Sequence, residues 1–364
     1  MPGKRASARS VTADALETLR RRGADSGVLD ARLAWTELEG IRRYVAGMAE
    51  RSRVTPLMLP TAQAGGRWST TNPPLCNWPR HDPNVCGEGE HAAGTWCPRD
   101  VRGVLLPDPG TYWLKFDWSA VEARLAATYT QDEDDLRAFR EGLDLHTLTC
   151  CRMLALPVPP VLTAALHTAP EVAAWRQEVA WGGPDDRRRH LTKTVRYALL
   201  YSEDWRGVLN AQGVERLGYT RQQLEDFARA YLRAKPAFVA GKARAQDECR
   251  RTGLARSGFG RLRRLSGDAH TRAKEGWSHV ISATVSDMMN VTLIGIHAAE
   301  PTCWLVANRH DGAEIAFPDA VLVARAHAAL RGLVERTWSF WGHDFTCPAT
   351  WEVVWPDGSH QRLP

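Results

Sequence analysis

Residues 112–129 read YWLKFDWSAVEARLAATY and combine two different patterns of apolar residues. The first part, 112–117, is a short aromatic and apolar run that ends in Asp117, which predicts a β-strand. The second part, SAVEARLAATY, carries apolar residues at helical spacing and predicts a helix that follows the strand at once. This segment therefore presents a carboxylate at the end of a strand, where the chain turns into a helix.

A second pair of strands is predicted near the C-terminus. The apolar runs CWLVA (303–307) and AEIAF (313–317) flank NRHDG, which is typical of a β-hairpin with Asp311 at its tip. Residues 12–50 have helical periodicity, 61–100 are polar and loop-like, and the middle of the chain to about residue 283 is mostly helical. Helices, a strand, many helices and then strands indicate an α+β protein rather than an alternating βαβ series.

Length and composition limit the number of domains and the class of partner that we expect. The 364 residues predict about two domains. The net charge is +5, from 47 basic and 42 acidic residues, and such a mild excess is only weak support for a nucleic-acid partner. Six of the basic residues are Lys and 41 are Arg. Arginine suits phosphate recognition, which favours a phosphate-rich partner, but biased codon usage in a GC-rich genome gives the same ratio.

Other classes of protein do not fit. We find no uncharged apolar stretch of about 18 residues and expect no contact with a membrane. The basic N-terminus lacks the apolar core of a secretory signal, so we expect a cytoplasmic protein. Eight cysteines then indicate reduced thiols or a metal site rather than a disulfide framework.

Two carboxylates at strand ends are candidates for catalysis. Asp117 and Asp311 are the minimum set that holds two Mg²⁺ ions about 4 Å apart for an in-line phosphoryl displacement. Structural interpretations remain open at this stage. Asp311-Gly312 is a common hairpin turn in any protein, and Ser119 with Glu122 fits a helix capping box.

A regular stripe marks the helix that is predicted to begin after residues 182–186. Arg189, Lys193, Tyr197 and Tyr201 recur every four residues and share one helix face. Two cations followed by two aromatic rings suit a nucleoside triphosphate, with its phosphates on the cations. The alternative is an amphipathic helix with tyrosines in the core and solvated cations.

Several segments, in collinear order, resemble the family A or polymerase-I-like DNA polymerases. Residues 66–79, GRWSTTNPPLCNWP, are similar to that family's TGRLSSxxPNLQNIP segment. Residues 117–124, DWSAVEAR, resemble motif A, DYSQIELR, and are followed by FREGLDLHT at 139–147. The spacing from Arg189 to Tyr201 is that of motif B, residues 257–264 resemble the GRRR-type turn, and His310-Asp311-Gly312 corresponds to motif C, HDE.

The resemblance, from about residue 54 to the C-terminus, implies a right-hand polymerase fold. This fold has an antiparallel-sheet palm, a large helical fingers subdomain and a truncated thumb. We accordingly expect a helical thumb remnant over 1–60, palm over 61–125 with a Cys-rich insertion at 80–97, fingers over 126–280, and palm again over 281–364.

The resemblance also assigns roles. Asp117, Asp311 and the backbone carbonyl of Trp118 are expected to hold two Mg²⁺ ions, for which Mn²⁺ can substitute. Lys193 is expected to take part in catalysis as the acid for pyrophosphate departure. Residues expected to bind the dNTP are Arg189, Lys193, Tyr197, Tyr201, His146 and Glu122, the last as a steric gate against a ribose 2′-OH. Expected DNA contacts are Arg67, Asn72, Asn77, Arg261, Arg264, Ser278, Ser282 and His310.

Some positions depart from the family pattern. Gly312 replaces the Glu of motif C, and Glu314 is interpreted as out of phase with that position along the strand. Ser278 and Ser282 align with an Asn and Gln pair that reads the minor groove. Because serine hydroxyls reach less far, a weaker check of the primer terminus and a reduced fidelity are expected.

A cysteine-rich stretch lies largely between the first segment and motif A. Cys76, Cys86, His91 and Cys97, with His81 as an alternative ligand, could close a tetrahedral zinc site, although the spacings are not those of a standard finger. Free thiols in a polar loop are the other interpretation. The remaining cysteines are interpreted as packing residues, namely Cys150, Cys151, Cys249, Cys303 and Cys347.

The function implied is template-directed synthesis of DNA from dNTPs by two-metal catalysis, in the cytoplasm of a bacterial or phage-infected cell. The partners implied are primer-template DNA and dNTPs. Because only about 60 residues precede the first motif, we expect no intrinsic proofreading, low processivity and accessory replication proteins. Two alternatives stay open: a catalytically degenerate fold that binds primer-template, and a primase or other RNA-synthesising relative, which Glu122 disfavours.

Overall fold

A computed structural model describes most of the chain from residue 53 onward. The described residues are 53–60, 63–71, 75, 105–163, 166, 169–182, 186–202, 206–209 and 219–363, with five helical positions between 27 and 42. Most of the helical region predicted over 12–50 lies outside them. The chain divides into two units, Met1–Leu59 with Thr70–Leu106 and Pro60–Ser69 with Pro107–Pro364. The candidate active site lies in the second unit.

The strands are short except around the candidate catalytic residues. They are β1 (Leu57–Leu59), β2 (Ser69–Thr71), β3 (Tyr112–Trp118), β4 (Leu254–Arg256), β5 (Leu262–Arg264), β6 (Trp304–Arg309), β7 (Gly312–Phe317), β8 (Trp338–Phe340), β9 (His343–Phe345), β10 (Ala349–Val354) and β11 (His360–Leu363). Five of them form an antiparallel sheet in the order β11-β10-β3-β7-β6. Strand β3, which carries Asp117, is therefore central.

Most of the described chain between β3 and β6 is helical, apart from β4 and β5. They are α1 (Val121–Thr130), α2 (Glu133–Arg140), α3 (Leu145–Leu154), α4 (Ala173–Glu178), α5 (Arg187–Tyr201), α6 (Arg206–Leu209), α7 (Arg221–Ala234), α8 (Pro236–Thr252) and α9 (Ala269–Ala299), with α10 (Ala320–Val334) after the hairpin. This order confirms the predicted α+β class. It also confirms the predicted strand at 112–117, the helix after it and the β6–β7 hairpin.

One face of the central strand β3 packs into the core, and the opposite face carries Asp117. Leu114, Phe116 and Trp118 are buried, and α10 packs near β3 and β7. The Trp118 indole donates a hydrogen bond to the Val334 carbonyl at 2.9 Å, which fixes the strand end to the last residue of α10. Asp117, one residue out of phase with the core face, is exposed.

The structure rejects the capping-box interpretation of Ser119 and Glu122. The N-cap of α1 is Ala120, in the left-handed conformation at φ 54°, and no side chain caps this helix. The left-handed residue turns the chain sharply from β3 into α1 and leaves Glu122 in the first turn. Glu122 is consequently available for contacts elsewhere.

One long helix runs through the second unit. Helix α9 has the length and the mean hydropathy of a membrane span, 1.2 over 18 residues, but 67% of that window is buried inside the fold. A core helix has the same properties. It also runs across residue 280, where the sequence-based fingers region ends. The strand β2 lies within 61–100, which the sequence predicted as loop.

Candidate active site

The two predicted catalytic aspartates lie side by side. Asp117 pairs with Gly312 across β3 and β7, and Asp311 stands directly before Gly312 in the two-residue turn between β6 and β7. The Trp118 amide donates a hydrogen bond to the Asp311 carbonyl oxygen at 2.8 Å. The sheet thus brings together carboxylates that are 194 positions apart in the chain (311 − 117).

The electrostatics of this pair fit a divalent cation. Burial, and then the charge of Asp117, raise the pKa of Asp311 to about 7. Two neighbouring carboxylates repel each other unless a cation or a proton lies between them. Mg²⁺ at phosphoryl-transfer sites takes oxygen ligands from one or two carboxylates and from the substrate phosphates. Asp117 and Asp311 match that donor set.

Gly312 fits closely against Asp117. A Cβ atom at position 312 would lie 2.5 Å from the Phe116 carbonyl oxygen and 2.8 Å from Asp117 Oδ1. No side chain fits there without moving the strand or the Asp117 carboxylate. The departure from the motif C glutamate therefore matches the local packing of this chain.

The interpretation of Glu314 as out of phase is wrong. Glu314 lies two residues after Gly312 on β7, so both point to the same face of the sheet as Asp117. Its buried carboxylate pairs with Arg309 at 2.6 Å and with Lys115 at 3.4 Å. Glu314 is thus held by two cations of the neighbouring strands.

Glu122 forms a cluster with two other predicted site residues. The Arg67 guanidinium forms an ion pair with the Glu122 carboxylate, and both side chains are largely buried. Burial, and then the negative charge of Glu122, raise the pKa of Tyr201 well above its usual value. The segment that carries Arg67 is anchored by the Trp68 indole, which donates to Asn290 of α9 at 2.6 Å.

The stripe on α5 lines a cavity of about 710 Å³. Asp186 is the N-cap of α5, so the helix begins where the sequence predicted. Arg189, Lys193 and Tyr197 line the cavity together with His146 of α3. The carboxylates of Glu122, Asp311 and Asp117 also raise the pKa of Tyr197, after burial, which places this tyrosine near them. Four of the six predicted nucleotide residues thus line one pocket, and Tyr201 and Glu122 are not among its lining residues.

Arg189 and His146 are linked through Asp144. Arg189 donates to the Asp144 carboxylate at 2.7 Å, and Asp144 also caps α3 by accepting from the backbone amides of His146 and Thr147. Although burial opposes it, the Arg189 guanidinium holds the pKa of Asp144 below its usual value. Burial, and then the charges of Arg196 and Arg189, lower the pKa of His146 to about 3. The imidazole is therefore neutral at physiological pH.

The predicted DNA-contacting residues that the structure describes lie on several elements and are not among the residues lining this pocket. Ser278 and Ser282 lie one turn apart on α9, and the Ser282 hydroxyl donates to the Ser278 carbonyl at 2.7 Å. Arg261 pairs with Asp287 at 2.6 Å, and Arg264 is exposed at the end of β5. His310 is in the left-handed conformation, φ 56°, in the β6–β7 turn.

Comparison with known proteins identifies the family. The sequence profile of DNA polymerase family A matches residues 2–318. The chain belongs to DNA polymerase family A. This assignment agrees with the fold and with the arrangement of Asp117 and Asp311.

Among curated relatives, the chain is similar to several bacterial and phage polymerases. It is 26% identical to DNA polymerase I of Chloroflexus aurantiacus over 246 residues, which cover 65% of this chain and 21% of that protein. It is 24% identical to the thermostable DNA polymerase I of Thermus aquaticus, over 64% of this chain and 24% of that one. The DNA polymerase of Mycobacterium phage D29 is 26% identical over 60% of this chain and 31% of its own length. The chain thus matches less than a third of each of these relatives.

A solved structure supports the fold. The POL domain of Pol1 from M. smegmatis, in complex with DNA primer-template and dNTP, superposes with a TM-score of 0.71 at 18% identity. The match covers 96% of this chain and 57% of that one. The right-hand polymerase fold expected from the sequence is confirmed by this likeness.

Sequence reasoning missed several buried residues of this family A polymerase. Arg196 also lines the cavity beside α5, and its guanidinium pairs with Asp135 of α2. It lies seven residues after Arg189, which is two helical turns on the same face, so a search at heptad spacing would have found it. Lys235 and Lys242 of the α7–α8 region give no comparable signal.

The predicted zinc site and two DNA contacts cannot be compared with the structure. Cys76, His81, Cys86, His91, Cys97, Asn72 and Asn77 lie outside the described residues. Within the described residues no cluster of three or more His, Cys, Asp or Glu side chains forms a metal site. The five remaining cysteines are free and buried, as expected of packing residues.

Proposed function

We propose that this chain is a template-directed DNA polymerase that adds dNTPs to a primer 3′-OH with Mg²⁺. One observation carries the proposal: Asp117 and Asp311 lie side by side where β3 pairs with β7, and both carboxylates act on Tyr197, which lines a cavity together with Arg189 and Lys193. Two acids for the metals and a row of cations for a triphosphate are the parts that phosphoryl transfer needs.

In this proposal Asp117 and Asp311, with the Trp118 carbonyl, hold the Mg²⁺ ions, and Mn²⁺ can substitute. Bound Mg²⁺ would acidify the primer 3′-OH and neutralise charge on the pyrophosphate. Arg189 and Lys193 bind the triphosphate, and Lys193 donates a proton to the departing pyrophosphate. The neutral His146, which also lines the cavity, offers a hydrogen bond, but no charge, to the phosphates.

Glu122 supports a preference for deoxynucleotides. Its carboxylate is fixed by Arg67 at the start of α1, next to the tyrosines of α5. A carboxylate at the position of a ribose 2′-OH excludes that hydroxyl by volume and by desolvation. This speaks against the alternative of an RNA-synthesising enzyme.

Primer extension tests the proposal and its alternatives together. Purified full-length chain is incubated with a labelled primer-template, Mg²⁺ and either dNTPs or NTPs. We expect extension with dNTPs, little with NTPs, and none by the Asp117→Ala and Asp311→Ala variants. Binding of primer-template without extension would instead indicate a catalytically degenerate fold, and efficient extension with NTPs would indicate RNA synthesis.

The cellular setting is also a proposal. The relatives named above are bacterial and phage DNA polymerases, which supports action on primer-template DNA in a bacterial or phage-infected cytoplasm. Extension without proofreading, low processivity and dependence on accessory replication proteins are proposed from the sequence. Removal of a mismatched primer terminus by the purified chain would contradict the first of these.

A further inference from the structure

Two buried lysines lie at the start of α8. Lys235, which precedes the helix, is 1% exposed and Lys242 is 7% exposed. The chain has only six lysines against 41 arginines, so two buried lysines seven residues apart are a notable use of this residue type. Lysine is almost never buried unless its ammonium is paired, because desolvation of the charge is costly.

Lys242 binds the C-terminal end of α5. Its ammonium donates to the Leu199 carbonyl oxygen at 2.6 Å and also to the Ser202 carbonyl oxygen. Carbonyls in the last turn of a helix lack intrahelical partners and carry the negative end of the helix dipole. The Trp277 indole of α9 donates to the neighbouring Leu200 carbonyl at 2.6 Å. Lys242 is therefore a buried cationic cap on the nucleotide-binding helix.

Lys235 reaches the middle of the same helix through an acid. Its ammonium donates to the Asp135 carboxylate, which also accepts from Arg196 of α5, and it lies 3.7 Å from Asp132. All four side chains are at most 5% exposed. Two cations and two acids balance each other, and removal of one partner leaves a buried charge uncompensated, which is strongly unfavourable.

Helix α8 is also fixed to the helix that carries Glu122. Gly241 faces Thr130 of α1, and a Cβ atom at position 241 would lie 2.8 Å from the Thr130 backbone Cα. Only glycine permits this approach, and Lys242 is the next residue. Helix α8 therefore contacts α1 and α5, the two helices that hold Glu122 and the cationic stripe.

We propose that Lys235 and Lys242 are positioning residues that fix α5, through α8, in the orientation that binds the nucleotide. The proposal rests on the proposed role of α5 in dNTP binding. If α5 is loosened, only a fraction of the molecules present Arg189, Lys193 and Tyr197 correctly, and the apparent affinity for nucleotide falls by that fraction. Saturating nucleotide restores the orientation, so the effect falls on KM rather than on kcat.

The test compares Lys242→Met with wild type in single-nucleotide primer extension. Methionine keeps the apolar stem but donates no hydrogen bond. We expect the KM for dNTP to rise about tenfold, with kcat and the primer-template Kd within about threefold of wild type. Amide hydrogen exchange over 197–202 should accelerate in the variant, and Lys242→Arg should restore part of the KM.

A stability-matched control separates positioning from folding. Leu330→Ala removes buried volume in α10 and should lower stability without moving the KM for dNTP. The Asp135→Leu/Lys235→Met double variant removes one positive and one negative charge and should raise KM as well; it decides the question if Lys242→Met does not fold. An unchanged KM in a folded variant overturns the proposal. A wild-type chain that extends no primer overturns the proposed function instead, and the exchange measurement then still reports on α5.

Discussion

The lack of a side chain at Gly312 allows β7 to pack closely against β3 beside Asp117. Gly312 has no room for a Cβ atom, because the Phe116 carbonyl oxygen and Asp117 Oδ1 lie 2.5 and 2.8 Å from where it would be. We expect Gly312→Ala to displace the Asp117 carboxylate and lower kcat more than tenfold, with a loss of about 1–3 kcal/mol in the free energy of unfolding. Primer extension and urea unfolding measure the two effects.

Gly332 offers a matched control for that substitution. It lies in α10 and has open space where a Cβ atom would be. Gly332→Ala should raise stability by about 0.5–1 kcal/mol, since alanine favours the helix more than glycine does, and should leave kcat unchanged. Full activity of the Gly312→Ala variant would contradict the prediction, because β3 and β7 would then accept the added methyl group without displacing the Asp117 carboxylate.

The hydroxyl of Tyr197 predicts a specific tolerance. Tyr197 lines the cavity proposed to bind the dNTP, near Asp117 and Asp311, where its hydroxyl is expected to substitute for the missing 3′-OH of a dideoxynucleotide. We expect ready ddNTP incorporation, and a loss of about tenfold in the ddNTP-to-dNTP ratio of kcat/KM for Tyr197→Phe, as one hydrogen bond is removed. Competition between ddNTP and dNTP at one template position measures the ratio. Strong ddNTP discrimination by wild type would contradict the prediction.

The buried neutral state of His146 predicts a pH dependence of stability. Its pKa is about 3 in the folded chain and about 6.5 when unfolded, so as pH falls below 6.5 only the unfolded state takes up the proton. The contribution of this site is therefore present above pH 6.5 and is lost on acidification. Between pH 7 and 5 wild type should lose up to about 2 kcal/mol more than His146→Gln does. Urea unfolding at both pH values tests this. The control variant His343→Gln, which changes an exposed histidine, should lose as much stability between pH 7 and 5 as wild type does.

At the scale of elements, Asp144 joins a helix cap to an ion pair. It accepts from the His146 and Thr147 amides at the start of α3 and pairs with Arg189 of α5. Loss of a cap alone costs about 1 kcal/mol. We expect Asp144→Ala to lower the free energy of unfolding by at least about 1 kcal/mol more than Asp268→Ala does, because Arg189 also loses the Asp144 carboxylate. Asp268→Ala is the control, since it removes only an exposed cap of α9. Equal losses in urea unfolding would show that the ion pair contributes nothing.

What the sequence predicted well was local. The strand at 112–117, the helix after it and the β6–β7 hairpin follow from contiguous patterns of apolar residues and turn signals, and the structure confirms them. The capping box of Ser119 failed because such a motif fits many contexts, and the chain instead turns through left-handed Ala120.

What the sequence missed depends on distant partners. Arg196 pairs with Asp135, 61 positions away, and Lys242 donates to Leu199, 43 positions away. The heptad spacing of Arg196 from Arg189 indicates its helix face but not its partner, and Lys242 alone is typical of a solvated helix face. The stripe of α5 was predictable by its spacing, whereas the distant contacts that hold this helix in place were not.

At the scale of the whole molecule, α9 connects the separate parts of the site. Its Asn290 binds the segment of Arg67, its Asp287 pairs with Arg261, and its Trp277 donates to the end of α5. These contacts explain why most of this long, apolar helix is buried. Residues proposed for DNA and nucleotide binding are thereby held by one common element.

The modest charge of the chain predicts how firmly it holds DNA. A net charge of +5 leaves the grip on primer-template to a limited set of cation–phosphate contacts, which release counterions and weaken steeply with salt. For six to ten such contacts, affinity falls by roughly 10³–10⁵ between 50 and 200 mM salt. We expect short products when extension is started together with a heparin trap, and shorter ones as salt rises. Asp117→Ala should show the same salt dependence of DNA binding without extension, since that residue is proposed to act in catalysis. Long products at 200 mM salt under the trap would show that the isolated chain encloses its DNA and needs no accessory clamp.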